Sequence, residues 1–222
     1  MKHNKLSPER FLNVLIFRTI VSKMRTIIKS QMWDILDLFY HNKNAPLHLR
    51  GIAREINLRE GSLTRHLNYL KEKRILKSQN EANLKKFYVN PLELPKIFPL
   101  FDIERFEKLP LIRKNAMTAY INKVENKPIF LILFGSTAKG TYTSSSDIDI
   151  LEVSNKKSDN SKALKFVEAQ TGMHISLFQI DFSHFIDELR LKKDHVVQAA
   201  LETGYPVYNH LFFYGVMNNE RA

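Results

Sequence analysis

Ile129-Phe130-Leu131-Ile132-Leu133-Phe134-Gly135-Ser136-Thr137-Ala138-Lys139-Gly140, followed after a short polar interval by Ser146-Asp147-Ile148-Asp149-Ile150, decides the reading of this chain. The apolar run 129–134 lies between Pro128 and Gly135, which is the pattern of a short buried strand. A glycine directly after such a strand lets the backbone come close to a phosphate group, and Ser136 adds a hydroxyl donor. Ten residues, Thr137 to Ser146, then separate Ser136 from Asp147. In a second strand over 147–153, Asp147 and Asp149 are two apart and share a face, while Ile148 and Ile150 point into the core. Two adjacent carboxylates repel each other unless a cation neutralises them. Mg2+ held jointly by carboxylates and substrate phosphates is the expected occupant.

Gly135-Ser136-Thr137-Ala138-Lys139-Gly140 and Ser146-Asp147-Ile148-Asp149 resemble the signature of the DNA polymerase β nucleotidyltransferase superfamily, especially its minimal nucleotidyltransferases. The resemblance extends more loosely over 111–208. It implies an α+β nucleotidyltransferase fold, a mixed sheet flanked by helices. It also implies a Mg2+–nucleoside triphosphate, ATP by analogy, with Gly135, Ser136 and Lys139 at the nucleotide. Asp147 and Asp149 become the metal-binding and catalytic pair. The implied reaction moves a nucleoside monophosphate, AMP by the same analogy, to a hydroxyl on a protein or a small molecule. Active relatives place a third carboxylate on a later strand. The candidate strand here, 173–180, contains neither Asp nor Glu. Ser176 takes the expected place and is a weak base. His174 is an alternative base or simply a polar strand residue, and Asp181 reads as a helix N-cap. The metal–nucleotide half of the motif is intact and the half that activates the acceptor is eroded. Two readings therefore stay open: an enzyme, and a catalytically inactive, nucleotide-sensing transcription regulator.

The remaining composition narrows the field. With 222 residues, 44% of them hydrophobic, the chain can bury one large core or two small ones. It has no cysteine, which excludes disulfides, thiolate catalysis and Cys-type zinc sites. Arg18, Lys23 and Arg25 interrupt the apolar stretch between Phe11 and Ile28, so neither a signal segment nor a membrane span is expected. A cytoplasmic protein with no membrane partner is the default. The net charge of +11 is unevenly spread: residues 1–90 hold 18 Lys and Arg against 7 Asp and Glu, and the rest of the chain is balanced. A basic module joined to a neutral one fits a polyanion-binding arm on a separate functional domain.

The order of elements in the basic part supports that division. Ser7-Pro8-Glu9 opens a long amphipathic helix to about Ile28, whose apolar stripe packs either on its own domain or on a second copy. Helices follow at about 31–40, with Met32, Ile35, Leu36 and Phe39 inward, then at 49–56 and at 59–73, with Leu63, Leu67 and Leu70 inward. Short strands at 75–77 and 85–89 flank a polar turn. From Leu49 to Tyr88 the chain resembles ArsR/MarR-like winged helix-turn-helix regulators, through Ile52-Ala53, Ile56-Asn57-Leu58, Ser62–Leu67, Leu70, Ile75-Leu76 and Lys85–Tyr88. The resemblance implies a third helix in the major groove of double-stranded DNA and a wing on the backbone. Ser62, Arg65, His66, Tyr69 and Lys73 then face the DNA from the helix, and Lys85 and Lys86 from the wing. Arg74 stands where such families commonly carry a glycine, so it must avoid or tolerate a left-handed conformation. A homodimer reading two half-sites is compatible with this arrangement. The expected division is a DNA-binding domain at 1–90, a proline-punctuated linker at 91–110, and a nucleotidyltransferase-like domain at 111–222.

Overall fold

The computed structural model describes residues 30–42, 45–81 and 83–219. The helix expected from Ser7 to Ile28 lies outside the described residues. The chain divides into two compact units between Ile103 and Glu104.

In the first unit, α1 (Ser30–His41) buries Trp33, Ile35, Leu36, Phe39 and Tyr40. Trp33 and Tyr40 replace the expected Met32 because a second neighbour covers that side. That neighbour begins within 91–110, the stretch read as a linker, which is largely helical. After a 3-10 turn at Pro91–Glu93, α4 (Leu94–Glu107) runs through Pro99. Pro91 and Pro95 occupy starting positions where no intrahelical N–H is needed, so these prolines open helical segments. Phe101 packs on Trp33 at 4.6 Å between ring centroids, and Phe98 meets Tyr40 edge-on at 5.2 Å. The Tyr40 hydroxyl donates to the buried Asp102 carboxylate at 2.6 Å.

Between these lie α2 (Leu49–Glu55) and α3 (Glu60–Glu72), and a three-stranded antiparallel sheet in the order β1 (Leu47–His48), β3 (Leu84–Val89), β2 (Leu76–Glu81). The hairpin strands extend further toward the turn than the expected polar break at 79–83, pairing as far as Glu81 with Leu84. Asn57 (φ 51°) and Arg74 (φ 60°) both take left-handed backbone. The Arg74 carbonyl accepts from Asn90 Nδ2 at 2.9 Å, which helps to fix it there.

The second unit is built on a four-stranded mixed sheet in the order β6 (Ile175–Asp181), β5 (Ile148–Ser154), β4 (Phe130–Phe134), β7 (Tyr205–Tyr208). The β5–β6 pair is parallel and the other two pairs are antiparallel. Every residue of β4 is buried, as its unbroken apolar run requires. Leu131, Leu133, Ile148 and Ile150 face α5 (Leu111–Lys123) and α7 (Ser161–Thr171), packing with Ala116, Met117, Tyr120, Ala163 and Val167. On the opposite face Phe130 meets Phe185 of α8 (Phe182–Leu191) and Phe213 of α10 (His210–Asn219), at 5.1 and 5.4 Å. α9 (His195–Thr203) precedes β7. A Cβ on Gly204 would lie 2.7 Å from the Leu133 carbonyl oxygen, so a glycine is what allows close approach to β4. The architecture is α+β with a mixed sheet and helices on both faces. Among the described residues no helix is long and apolar enough to cross a membrane.

Candidate functional site

The chain leaves β4 at Phe134 and turns at once into a one-turn helix, α6 (Gly135–Lys139), ended by Gly140 at φ 74°. This turn occupies the start of what the sequence reads as an open loop. Gly135 has φ 67°, and a Cβ there would stand 2.1 Å from Asp149 Oδ2. Both facts demand glycine: the backbone is left-handed, and the space beside it is filled by the Asp149 carboxylate. The register explains the meeting, because Phe134 pairs with Asp149 across β4 and β5. Ser136 follows at the site, half-buried, and Lys139 is exposed at the far end of α6.

Asp149 lies inside β5, flanked by Phe134 on one side and by Ser176 of β6 on the other. Asp147 lies one residue before the strand. Its Oδ2 accepts from Ser176 Oγ at 3.2 Å and lies 3.2 Å from His174 Nδ1. Ser176 thus adjoins both acids, bonded to the Asp147 carboxylate and in register with Asp149. Burial first, and the neighbouring Asp147 charge second, push the Asp149 carboxyl above the ordinary carboxylate range. A divalent cation reverses both effects. Among the described residues no group of three or more His, Cys, Asp or Glu side chains is placed to hold a metal ion unaided. The two carboxylates are oxygen donors, the ligand type that a hard cation takes. Phe178, two residues beyond Ser176, is 40% exposed and backed edge-on by Phe134 at 5.7 Å.

The three substitutes for a third carboxylate separate cleanly. Ser176 is the residue opposite Asp149, and His174 is beside Asp147. Asp181 pairs with Ser154 at the other end of the sheet and caps α8, accepting from the His184 N–H at 2.9 Å.

A residue the sequence reading passed over holds the loop between the two halves of the motif. Arg113, near the start of α5, is only 2% exposed. Its Nη1 donates to Thr137 Oγ1 at 2.8 Å, and its Nη2 donates to the carbonyls of Thr143 and Ser146, each at 2.9 Å. A longer contact of 3.4 Å reaches the Asp147 carbonyl, and the guanidinium lies over the Tyr142 ring at 4.3 Å. The signal was present: Arg113 falls on the inward stripe with Ala116, Met117 and Tyr120, where an apolar residue is expected. On the same sheet face, Glu152 is buried and fully engaged by Tyr120, Ser154, Asn160 and Gln179. That network joins α5, β5, β6 and the start of α7 away from the Asp147–Asp149 pair.

In the first unit, α3 turns Leu63, Leu67 and Leu70 inward and leaves Arg65, Tyr69 and Lys73 exposed, with Ser62 half-buried. Lys73 reaches over the Tyr69 ring at 5.6 Å. Two members of the expected surface are engaged internally: His66 is hydrogen-bonded to Gln31 Oε1 at 2.9 Å, and Lys86 pairs with Glu81 across the hairpin. Lys85 remains exposed beside Lys71, which sequence reasoning missed. Loss of solvent, and then the Lys85 ammonium, hold Lys71 below its ordinary value.

Known proteins match this chain only in part. No curated protein matches it. Human N-acetylserotonin methyltransferase, solved in complex with SAM, is similar over 55% of this chain at 12% identity and a TM-score of 0.29. The chain spans only 35% of that protein's length, and a likeness of this degree carries no argument. The match that bears on the site is a family model: residues 119–205, which hold Gly135, Ser136, Asp147 and Asp149, match a nucleotidyltransferase domain.

Proposed function

We propose that the second unit binds a Mg2+–nucleoside triphosphate, ATP by family analogy, and transfers its nucleoside monophosphate to a hydroxyl of a protein or small molecule. The observation that carries this reading is the meeting of Gly135 with Asp149. A side chain is excluded where the backbone turns out of β4, and the Asp149 carboxylate stands directly beside that bare backbone. The Gly135 backbone and the Ser136 hydroxyl would hold phosphate, with Lys139 as a further cation. Asp147 and Asp149 would hold the magnesium, which when bound offsets charge on the phosphates and on the departing pyrophosphate. The acceptor oxygen bonds to the α-phosphorus, the bond to the bridging oxygen breaks, pyrophosphate leaves and the hydroxyl proton passes to solvent.

One observation favours binding without turnover: the side chain opposite Asp149 on β6 is Ser176, not an acid. On that second reading the nucleotide controls another activity of the chain, through different affinities for two states. We propose that this other activity is binding of double-stranded DNA by the first unit, as a winged helix-turn-helix in a cytoplasmic regulator, with a homodimer as the form that reads paired half-sites. The order α2, α3, hairpin supports it, as do the exposed Arg65, Tyr69 and Lys73 and the positive excess of residues 1–90.

Labelled ATP with Mg2+, incubated with and without cell extract, separates the readings. Wild type is expected to bind ATP, and Asp147→Asn/Asp149→Asn to lose that binding at least tenfold. Label on an acceptor with wild type alone establishes transfer. Binding without label supports the regulator, and equal binding by both proteins refutes the metal site.

A further inference from the structure

We infer that Arg113 is the positioning residue of this site: from beneath the loop it fixes Asp147 and Ser136 relative to each other. The inference rests on the proposed Mg2+–nucleotide site and adds a residue to it.

Asp149 is held by the sheet, between Phe134 and Ser176. Asp147 stands outside the strand ladder, because β5 begins only at Ile148; Ser176 and His174 meet its carboxylate, but its backbone follows the interval from Thr137 to Ser146. Where that backbone sits depends on how the interval closes. One guanidinium gathers that interval at both ends, taking Thr137 Oγ1 beside Ser136 and the carbonyls of Thr143 and Ser146 just before Asp147. Thr137 is itself fully buried, and its hydroxyl lies 3.3 Å from the Asp147 carbonyl, closing the loop on itself. Among the described residues the hydrogen-bond partners of Arg113 are neutral oxygens, not carboxylates. A buried cation surrounded in this way is solvated by loop dipoles, so the loop must keep the geometry that supplies them. The planar fork sends separate N–H groups to separate acceptors, and Tyr142 stacks on its face. A lysine keeps the charge but offers a single nitrogen and no plane.

The test uses the full chain with Arg113→Lys, and with Thr137→Val as a milder variant that keeps the branched shape but removes the hydroxyl that accepts from Arg113 and donates to the Asp147 carbonyl. Hydrogen exchange is followed across the chain, and Mg2+–ATP affinity by titration. Both variants are expected to speed exchange within 136–147, Arg113→Lys by tenfold or more, while β4, β5 and α7 stay protected. The ATP dissociation constant is expected to rise at least tenfold in Arg113→Lys and less in Thr137→Val. The double variant should add little to Arg113→Lys, since both changes break one clamp. Loop exchange and affinity within twofold of wild type would overturn the inference. A uniform rise in exchange over the whole unit would also overturn it, because Arg113 would then serve general stability. If wild type itself binds no Mg2+–ATP, the nucleotide reading falls, while loop exchange alone still decides whether Arg113 fixes the loop.

Discussion

Asp149 shows how a site works against the fold that carries it. Burial and the Asp147 charge raise its carboxyl above the ordinary range, so the folded chain binds a proton there more readily than the unfolded chain does. The stability this contributes is fully present below the ordinary carboxylate value. It is lost as pH rises through the raised folded value. Asp149→Asn removes the ionisable group and is expected to melt higher than wild type at pH 7 without metal. The difference should shrink as pH falls through the raised value and vanish below the ordinary range. Thermal melts from pH 3 to 8 check this, and a constant difference at every pH contradicts it. With Mg2+ present the order should reverse, because only wild type gains from the cation.

Among the elements, the connection from α3 to the hairpin carries a measurable strain. Arg74 at φ 60° pays the steric cost of a left-handed residue with a Cβ, about 1–2 kcal/mol. Its backbone N–H still donates to the Lys71 carbonyl at 2.8 Å, and Asn90 still reaches its carbonyl, so a glycine preserves both bonds. Arg74→Gly should therefore stabilise the first unit by about 0.5–1 kcal/mol, the greater freedom of unfolded glycine cancelling the rest. Chemical denaturation measures it, and a destabilised variant refutes it. The residue was conspicuous in the sequence because its place asked for glycine. Elements with a clear pattern were equally legible: the apolar run of β4 and the Leu63–Leu67–Leu70 stripe. Others were hidden for physical reasons. Pro91, Pro95 and Pro99 disguised α4 as a linker, since proline at a helix start looks like proline in a break. α10, apolar on more than one side, offered no periodic contrast. In the candidate site, Gly135, Asp147 and Asp149 were singled out by their spacing after an apolar strand together with the family resemblance, and the structure sets Asp149 against Gly135. Arg113 could not be assigned a role, because all but one of its hydrogen-bond partners are backbone carbonyls, which any sequence supplies.

At the scale of the whole molecule, charge and chemistry are divided between the two units. The positive excess lies in residues 1–90, and the carboxylate pair lies in a neutral half. The proposed binding of DNA by the first unit should therefore weaken steeply with salt, through release of counterions. Arg65 is exposed on α3, so Arg65→Ala should lower affinity for duplex DNA and reduce the salt slope by about one unit. Fluorescence titration at several salt concentrations measures both, and an unchanged slope removes Arg65 from the interface.

The sheet order also sets a schedule for synthesis. β4 receives β5 from close by in the chain, but its other edge waits for β7, where Leu131 meets Tyr208. During translation the first unit can close its hairpin from neighbouring residues while Phe130–Phe134 keeps one edge open. A bare apolar edge of this kind invites pairing with another nascent chain. Tyr205–Tyr208 covers that edge, so β4 is sheltered on both sides only once β7 has joined it.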